Sequence, residues 1–522
     1  MEPDQTLPPK DLQYQSGLDR IQEPVVSSHF MHRFCNDFSM DNYDCDEFRT
    51  RSQYISIEAV SDILIPTLLN ASRAFCREHL AEIKARAREN FADYGLSSPD
   101  DVGTANFIAE VMFDRNYSKE SARYYSRRLL ASELAPRIRA GMPIRMVIPA
   151  LPFKISSPLK SRGQLPDLAE VNFLLLLYEI VLTVELLYRE ARPDILGRLA
   201  GFAVVSDGSR FSALVGERES VVRNYRRQLL CWIERLGIAD SIRIYDYRAL
   251  LSERLLPALQ QKKMQLSESA VAEYAHIMWP IFDPLQAAAS LRLAASAEPD
   301  PERENPQGRF GSLLKSLVYT IHYKSLNRDG RPALSRQLQL YRELTGHLFE
   351  PYVALSPQEI PQALQEIAAG GAISDKAREY LRQSMLREVW EATILYMAEI
   401  KSDRELEEEP ILSCLPAHIR WTIHGKQGQL AIAVPTALGL SVQAWAGAAV
   451  FKQVKRGKIK LCTLPVLALE GVGAIPVRVQ DSVDALGLGD QPLFYIYPDV
   501  GCEDIPNFLG RLATSLIRRR IA

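Results

Sequence analysis

The stretch "IPALPFKISSPLKSRGQLPDLAE", residues 148–170, gathers the residue types that acid–base chemistry needs. Lys154, Lys160 and Arg162 stand just ahead of an acid pair, Asp167 and Glu170. The prolines and Gly163 between them exclude regular structure. Asp167 and Glu170 are three apart, so they share a face on the first turn of the helix that Pro166 is placed to open. A helix N-terminus favours ionised carboxylates and also receives phosphate on its free N–H groups. Three cations in the same place suit an anionic, phosphorylated small molecule, set beside a carboxylate that moves protons or anchors an amine. A surface loop with local ion pairs carries the same charge pattern, and exposed pairs contribute little. Charge pattern alone leaves both readings open.

Two other clusters have chemical potential. "VVSDGSRF" presents Ser206 and Asp207 at the end of a strand, with Gly208 permitting a tight turn. Asp207 suits an amine or a hydroxyl, and Arg210 suits an acid group. An Asx turn is the plain structural alternative. "HIRWTIH" puts Arg420, Thr422 and His424 on one face of a strand, and Ile419, Trp421 and Ile423 on the other. An Arg and a His in an otherwise apolar strand are costly unless paired. His424 is suited to general acid–base work, or is a histidine satisfied by a neighbour.

The elements that must position these residues follow from periodicity. "IRMVIP" (144–149), "GFAVVSD" (201–207) and "SIRIYD" (241–246) are short β-branched runs, separated by helical stretches at 167–190 and 217–236. That alternation predicts a parallel sheet with helices on its faces. Ligands gather beyond the carboxyl ends of such strands, so the three polar clusters that follow them share one rim. Residues 55–140 read as helices, one of them starting on a Ser N-cap in "SKESARYYSRRLLASELAPRIRAG" and stopping at Gly141. Residues 250–408 read as mostly helical. "HIRWTIH", "GQLAIAV", "GAAVFKQ" and "GKIKLCTL" predict a smaller, mainly antiparallel β subdomain at 409–522. Residues 1–52 read as a loose arm ahead of an α/β domain at 53–408. In the arm His29, His32 and Cys35 have helical spacing, but Cys45 has no near partner, and an amphipathic arm is the simpler reading.

Bulk properties narrow the function classes. The chain has 522 residues, 62 Lys plus Arg against 64 Asp plus Glu, and 47% hydrophobic residues. Near-zero net charge gives no support for nucleic acid or a membrane surface as partner. The polar, acidic start does not read as a signal peptide. "FLLLLYEIVLTVELLY" is interrupted by Glu179 and Glu185 and reads as a buried helix. Seven scattered cysteines suit a reducing cytoplasm. The sequence has no G-x-x-x-x-G-K-S/T, no G-x-G-x-x-G, no H-E-x-x-H and no G-x-S-x-G.

Taken together, these segments resemble the isocyanide (isonitrile) synthases of the pyoverdine/dityrosine biosynthesis family. "IPALPFKISSPLKSRGQLPDLAE" resembles its Phe-Pro-x-Lys-Ser-Pro-Asn…Pro-Asp-x-(Ala/Gly)-Glu segment, "VVSDGSRF" its Ser-Asp-Gly-Arg-x-Phe segment, and "HIRWTIH" its Ile-Arg-Leu-Ser-Ile-His strand. The resemblance implies a Rossmann-like α/β fold with an appended smaller domain. It implies joining the amino group of an amino acid, of tyrosine or tryptophan type, to the C2 ketone of ribulose 5-phosphate. Carbon–carbon cleavage then leaves one carbon as an isocyanide. No metal or organic cofactor is implied, ribulose 5-phosphate being a co-substrate. Lys154, Asp167, Glu170, Asp207 and His424 are then the catalytic set. Lys160, Arg162, Ser206, Arg210 and Arg420 bind substrate. An iron/2-oxoglutarate oxygenase is the implied downstream partner. The chain departs from the pattern at Leu159, where the family has an amide, and at Trp445, which is followed by Ala446 where the family has Trp-His. An N-formyl amino acid product, or a catalytically silent protein of the same fold, are the competing expectations.

Overall fold

The computed structural model describes residues 52–91, 101–119, 121–154, 161–212, 219–281, 356, 358–369, 374–406, 409–423, 426–433, 442–454, 457–480, 491–501 and 504–518. In chain order the strands are β1 (Gln53–Ile55), β2 (Ile144–Pro149), β3 (Ala200–Ser206), β4 (Ile242–Asp246), β5 (His418–Thr422), β6 (Leu430–Ala431), β7 (Ala448–Gln453), β8 (Ile459–Leu464), β9 (Ile475–Val479) and β10 (Phe494–Ile496). The principal helices are α1 (Ile65–Asn90), α2 (Asp101–Phe113), α3 (Arg127–Arg139), α4 (Leu168–Ala191), α5 (Gly208–Phe211), α6 (Glu219–Arg235), α7 (Tyr247–Arg254), α8 (Pro257–Met278), α9 (Glu359–Ala369), α10 (Asp375–Glu405) and α11 (Ile505–Ser515).

The chain divides into two compact units. One comprises Asp46–Asp207, Ser220–Leu250 and Ile411–Ala522, and it holds all the strands among the described residues. The other comprises Met1–Cys45, Gly208–Glu219 and Leu251–Pro410, and its described elements are helices.

The first sheet has the order β4-β3-β2-β5-β6, and every pair in it is parallel. β2 and β3 run in full register from Ile144 beside Ala200 to Pro149 beside Val205. On the other side of β2, Arg145 faces His418 and Val147 faces Arg420. The chain therefore steps outward from β2 through β3 to β4, then returns to the opposite side of β2. That reversal makes the β2–β5 boundary the switch point, where parallel sheets open a crevice at their carboxyl ends.

The second sheet has the order β1-β9-β10-β7-β8 and is mixed. β7 and β8 are antiparallel, as are β9 and β10, while β1 lies parallel to β9 and β10 parallel to β7. The structure thus differs from a division at residue 409. β5 and β6 follow that point in sequence yet complete the first sheet, and β1, from the start of the described chain, closes an edge of the second. A short alternating run reports which faces are buried, not which strand it pairs with.

α4 packs on β3 and β4 of the first sheet and on β7 and β8 of the second, and also on α1 and α2. Contact on every side explains its nearly continuous apolar sequence. By length and composition it is the one candidate membrane span among the described residues, but 89% of its apolar window is buried against protein, so it is a core helix. α3 begins after Ser126, whose hydroxyl accepts from Leu129 N, rather than at the earlier serine of the same segment. Gly141, just beyond it, has φ 69°.

Candidate functional site

β2 ends at Pro149, and the chain leaves it through Ala150 and Leu151, a non-glycine residue at φ 56°. Such backbone costs about 1–3 kcal/mol and persists where its surroundings hold it. Here Ala150 N donates to Val205 O (3.2 Å), and the Ser206 hydroxyl donates to Leu151 O (2.9 Å). The exits of β2 and β3 are thereby tied together. Three residues later the chain delivers Lys154 into the interior, fully buried.

Lys154 Nζ lies 2.8 Å from Asp167 Oδ2 and 2.8 Å from Glu170 Oε2. Asp167 is the N-cap of α4, so Pro166 precedes the cap instead of opening the first turn. Asp167 Oδ1 accepts from Ala169 N (2.6 Å), and Glu170 Oε2 accepts from Asp167 N (3.0 Å). The pair forms a capping box. From α6, Tyr225 donates its hydroxyl to Glu170 Oε1 (3.0 Å). All four side chains are at most 2% exposed. The Glu170 carboxyl is raised on balance to about 8, chiefly by burial. Lys154 draws it down, and Asp167 pushes it up again. Burial likewise raises Asp167, against the pull of Lys154. Burial opposes the charge on Lys154, but the two carboxylates outweigh it and hold the ammonium above its ordinary range. Among the described residues one cation faces these two buried carboxyls, so one carboxyl can hold a proton near neutral pH.

The loop that carries Asp167 is clamped from the second sheet's side of the same unit. Arg162 meets Glu470 through Nε–Oε1 (2.5 Å) and Nη2–Oε2 (2.5 Å). Gln491 accepts from Leu165 N (3.1 Å) and donates to Leu165 O (2.7 Å). Gly163 is required by close approach, since a Cβ there would stand 1.6 Å from Gln491 Oε1. Leu168 N donates to Leu493 O, ahead of β10.

The remaining residues singled out from sequence fall in different places. Ser206 and Asp207 are buried at the end of β3 on the shared rim. Arg420 lies within β5, 9% exposed, and donates to Trp421 O. Arg210 belongs to the helical unit, in a four-membered ion cluster. Its Nη2 is 2.6 Å from both Glu399 Oε1 and Asp403 Oδ2, and Lys263 Nζ reaches the same acids at 2.8 and 2.6 Å. Burial pushes the Asp403 carboxyl up, but Arg210 and Lys263 prevail and hold it low. Lys160, His424 and the His29–Cys35 group lie outside the described residues. His418 stands at the amino end of β5, beside Arg145, at the edge of the sheet opposite the rim. Trp445 is buried edge-on against Phe173 of α4, with ring centroids 6.0 Å apart. Among the described residues no group of three or more His, Cys, Asp or Glu side chains could hold a metal ion.

Tyr225, Glu470 and Gln491 were not singled out from sequence. Tyr225 did leave a signal. Val222, Tyr225, Leu229, Trp232 and Ile233 mark the buried face of α6, and a buried tyrosine needs a partner for its hydroxyl. Glu470 and Gln491 are joined to the loop only through the fold.

Residues 135–300 match the family described as pyoverdine/dityrosine biosynthesis protein. The matched segment contains Lys154, Asp167, Glu170, Asp207 and Tyr225. Part of the chain is similar to an L-tyrosine isonitrile synthase of Xenorhabdus nematophila, 29% identical over 116 residues, which is 22% of this chain and 32% of that protein. It is also similar to an L-tyrosine isonitrile synthase of Pseudomonas aeruginosa, 30% identical over 154 residues, or 30% of this chain and 43% of the relative. The matches thus span less than half the length of either relative. The crystal structure of the PvcA protein from Pseudomonas aeruginosa aligns with a TM-score of 0.44 at 18% identity, covering 76% of this chain and 100% of that one.

Proposed function

We propose that the protein is an isonitrile synthase-like enzyme that condenses the amino group of a tyrosine- or tryptophan-type amino acid with ribulose 5-phosphate and releases the transferred carbon as an isocyanide. The observation that carries this reading is the buried Lys154–Asp167–Glu170 group at the switch point, inside the segment that matches the family. Imine formation needs an amine freed of its proton and a departing hydroxyl supplied with one. Cleavage beside a carbonyl needs a hydroxyl proton removed and the developing oxyanion stabilised. A carboxyl pushed up to about 8 can give a proton near neutral pH, its ionised neighbour can take one, and Lys154 supplies fixed positive charge.

In this reading Ser206 and Asp207 hold the amine and the sugar hydroxyls. Lys160, Arg420 and His424 contribute from the loop and from β5. Arg162 acts through its bond to Glu470 by fixing the loop. The reaction requires no cofactor of its own and takes place in the cytoplasm, and an iron/2-oxoglutarate oxygenase consumes the product. The test is incubation of the purified protein with pooled amino acids and ribulose 5-phosphate labelled with carbon-13 at C2, followed by mass spectrometry. A labelled isocyanide is the expected result. A labelled N-formyl amino acid would change the product while keeping the carbon transfer. No label in any amino acid would overturn the proposal.

A further inference from the structure

We propose that Tyr225 is a positioning residue that places the single proton of the Lys154–Asp167–Glu170 group on Oε1 of Glu170. This deepens the acid–base reading of that group and rests on it for its use in catalysis. The argument itself is one of donors and acceptors. Among the described residues one ammonium stands against two buried carboxylates, which leaves one negative charge for a proton to remove.

That proton needs a carboxyl oxygen whose partner can accept a hydrogen bond. Asp167 Oδ1 already takes the N–H of Ala169, and Oδ2 takes the Lys154 ammonium. Glu170 Oε2 takes the ammonium and the N–H of Asp167. Backbone N–H groups and an ammonium only donate, so the competing acceptor is the other carboxylate, since the Asp167 and Glu170 side chains also hydrogen-bond each other. Among the described residues Glu170 Oε1 alone faces a hydroxyl, that of Tyr225, and a hydroxyl both donates and accepts.

The two protonation states then differ by the reversal of one hydrogen bond. With Glu170 ionised, Tyr225 donates to Oε1. With Glu170 protonated, Oε1–H donates to the tyrosine oxygen, and the other bonds of the group are kept. The charged groups that act on Glu170 are Lys154, from the loop after β2, and Asp167, at the cap of α4. Tyr225 meets it from α6, and Tyr495 of β10 lies beyond, within the field of Asp167. A proton placed in this way faces α6, away from the ammonium.

The test needs no turnover, so its failure is separate from failure of the proposed reaction. Carbon-13 labelling of Glu or of Asp carboxyls identifies the protonated carboxyl by infrared spectroscopy as pH is varied. The parent is expected to show a glutamic acid band, and Tyr225→Phe is expected to weaken it in favour of an aspartic acid band, because the variant leaves Oε1–H without an acceptor. An aspartic acid band in the parent, or a glutamic acid band unchanged in Tyr225→Phe, would overturn the proposal. The second result is also what a proton shared between Asp167 and Glu170 would give.

A stability comparison keeps the question open to test if Tyr225→Phe does not fold. Glu170→Gln can turn its amide oxygen to Lys154 and its NH2 to Tyr225, and it carries no cost of keeping a proton at pH 7, so its unfolding midpoint there should be no lower than the parent's. Asp167→Asn must point an NH2 at a donor and should lose about tenfold or more in its folded-to-unfolded ratio. Equal losses, or the reverse order, would overturn the assignment.

Discussion

The hydroxyl of Ser206 holds the carbonyl of Leu151 at 2.9 Å, and Leu151 is the residue whose backbone leaves the ordinary region as β2 ends. The bond joins the exits of two neighbouring parallel strands. Ser206→Ala removes the donor and leaves a buried carbonyl short of a partner. The expected cost is about 1–2 kcal/mol, read from urea unfolding. An unchanged midpoint would mean that Leu151 is held by its packing alone.

Among the described residues Lys154 is the one cation paired with the buried Asp167 and Glu170. Lys154→Met should cost about 3–5 kcal/mol at pH 7, since it strands both acids. Without the ammonium their folded-state pKa values rise further, and the folded variant holds more protons than its unfolded chain. Its stability should therefore recover as pH falls from 8 to 5, relative to the parent. Urea unfolding at the two pH values checks this, and a deficit independent of pH would refute it.

Glu170 gives the parent a pH dependence of its own. Its folded-state value of about 8 lies above its ordinary 4.5, so between these limits the folded state keeps a proton that the unfolded chain releases. Stability is lost as pH rises through that window, with a slope of up to about 1.4 kcal/mol per unit from this group, and levels off above it. Asp167, also raised, acts in the same direction. Glu170→Gln should flatten the slope, as measured by unfolding at pH 5, 6, 7 and 8.

Gly163 and Gln491 predict a non-additive pair. Gly163→Ala would drive a methyl into the amide that holds Leu165 by two hydrogen bonds. About 1–3 kcal/mol should be lost. Once Gln491→Ala has removed the obstacle, adding Gly163→Ala should cost little more. A double-mutant cycle measures the coupling, and simple additivity would contradict the close approach.

Arg210 should behave as a structural residue of the helical unit. Arg210→Ala takes one of two cations from Glu399 and Asp403, and about 3 kcal/mol should be lost on unfolding. Arg210→Lys keeps the charge but gives up the fork, and should recover only part of it. Equal unfolding midpoints for Arg210→Ala and the parent would rule this role out.

β2, β3, β4 and α4 were legible in sequence because each carries its own signal: β-branched runs bounded by turns, and an acid pair three residues apart at the start of an apolar helix. The pairing of Asp167 with Glu170 was legible for the same reason, being three residues long. Lys154 could be placed near them but not against them. Its depth depends on the turn at Leu151, where nothing in the residue type announces a positive φ. The place of β5 was not legible at all. Alternation in "HIRWTIH" says that a strand exists, whereas its partner β2 is chosen by the whole chain between them. Arg210 shows the converse limit. Three residues from Asp207, it reads as part of one motif, yet its partners come from a helix near residue 400.

The pairing of Arg145 with His418 sets an order of assembly during synthesis. β2, β3 and β4 emerge from the ribosome early, but the strand that covers the other side of β2 follows the whole segment Leu251–Pro410. Until then the nascent chain holds an unpaired edge beside the residues that become the rim, and an unpaired edge invites association. A ribosome stalled between residues 250 and 418 would therefore present a half-built sheet, a natural client for a chaperone.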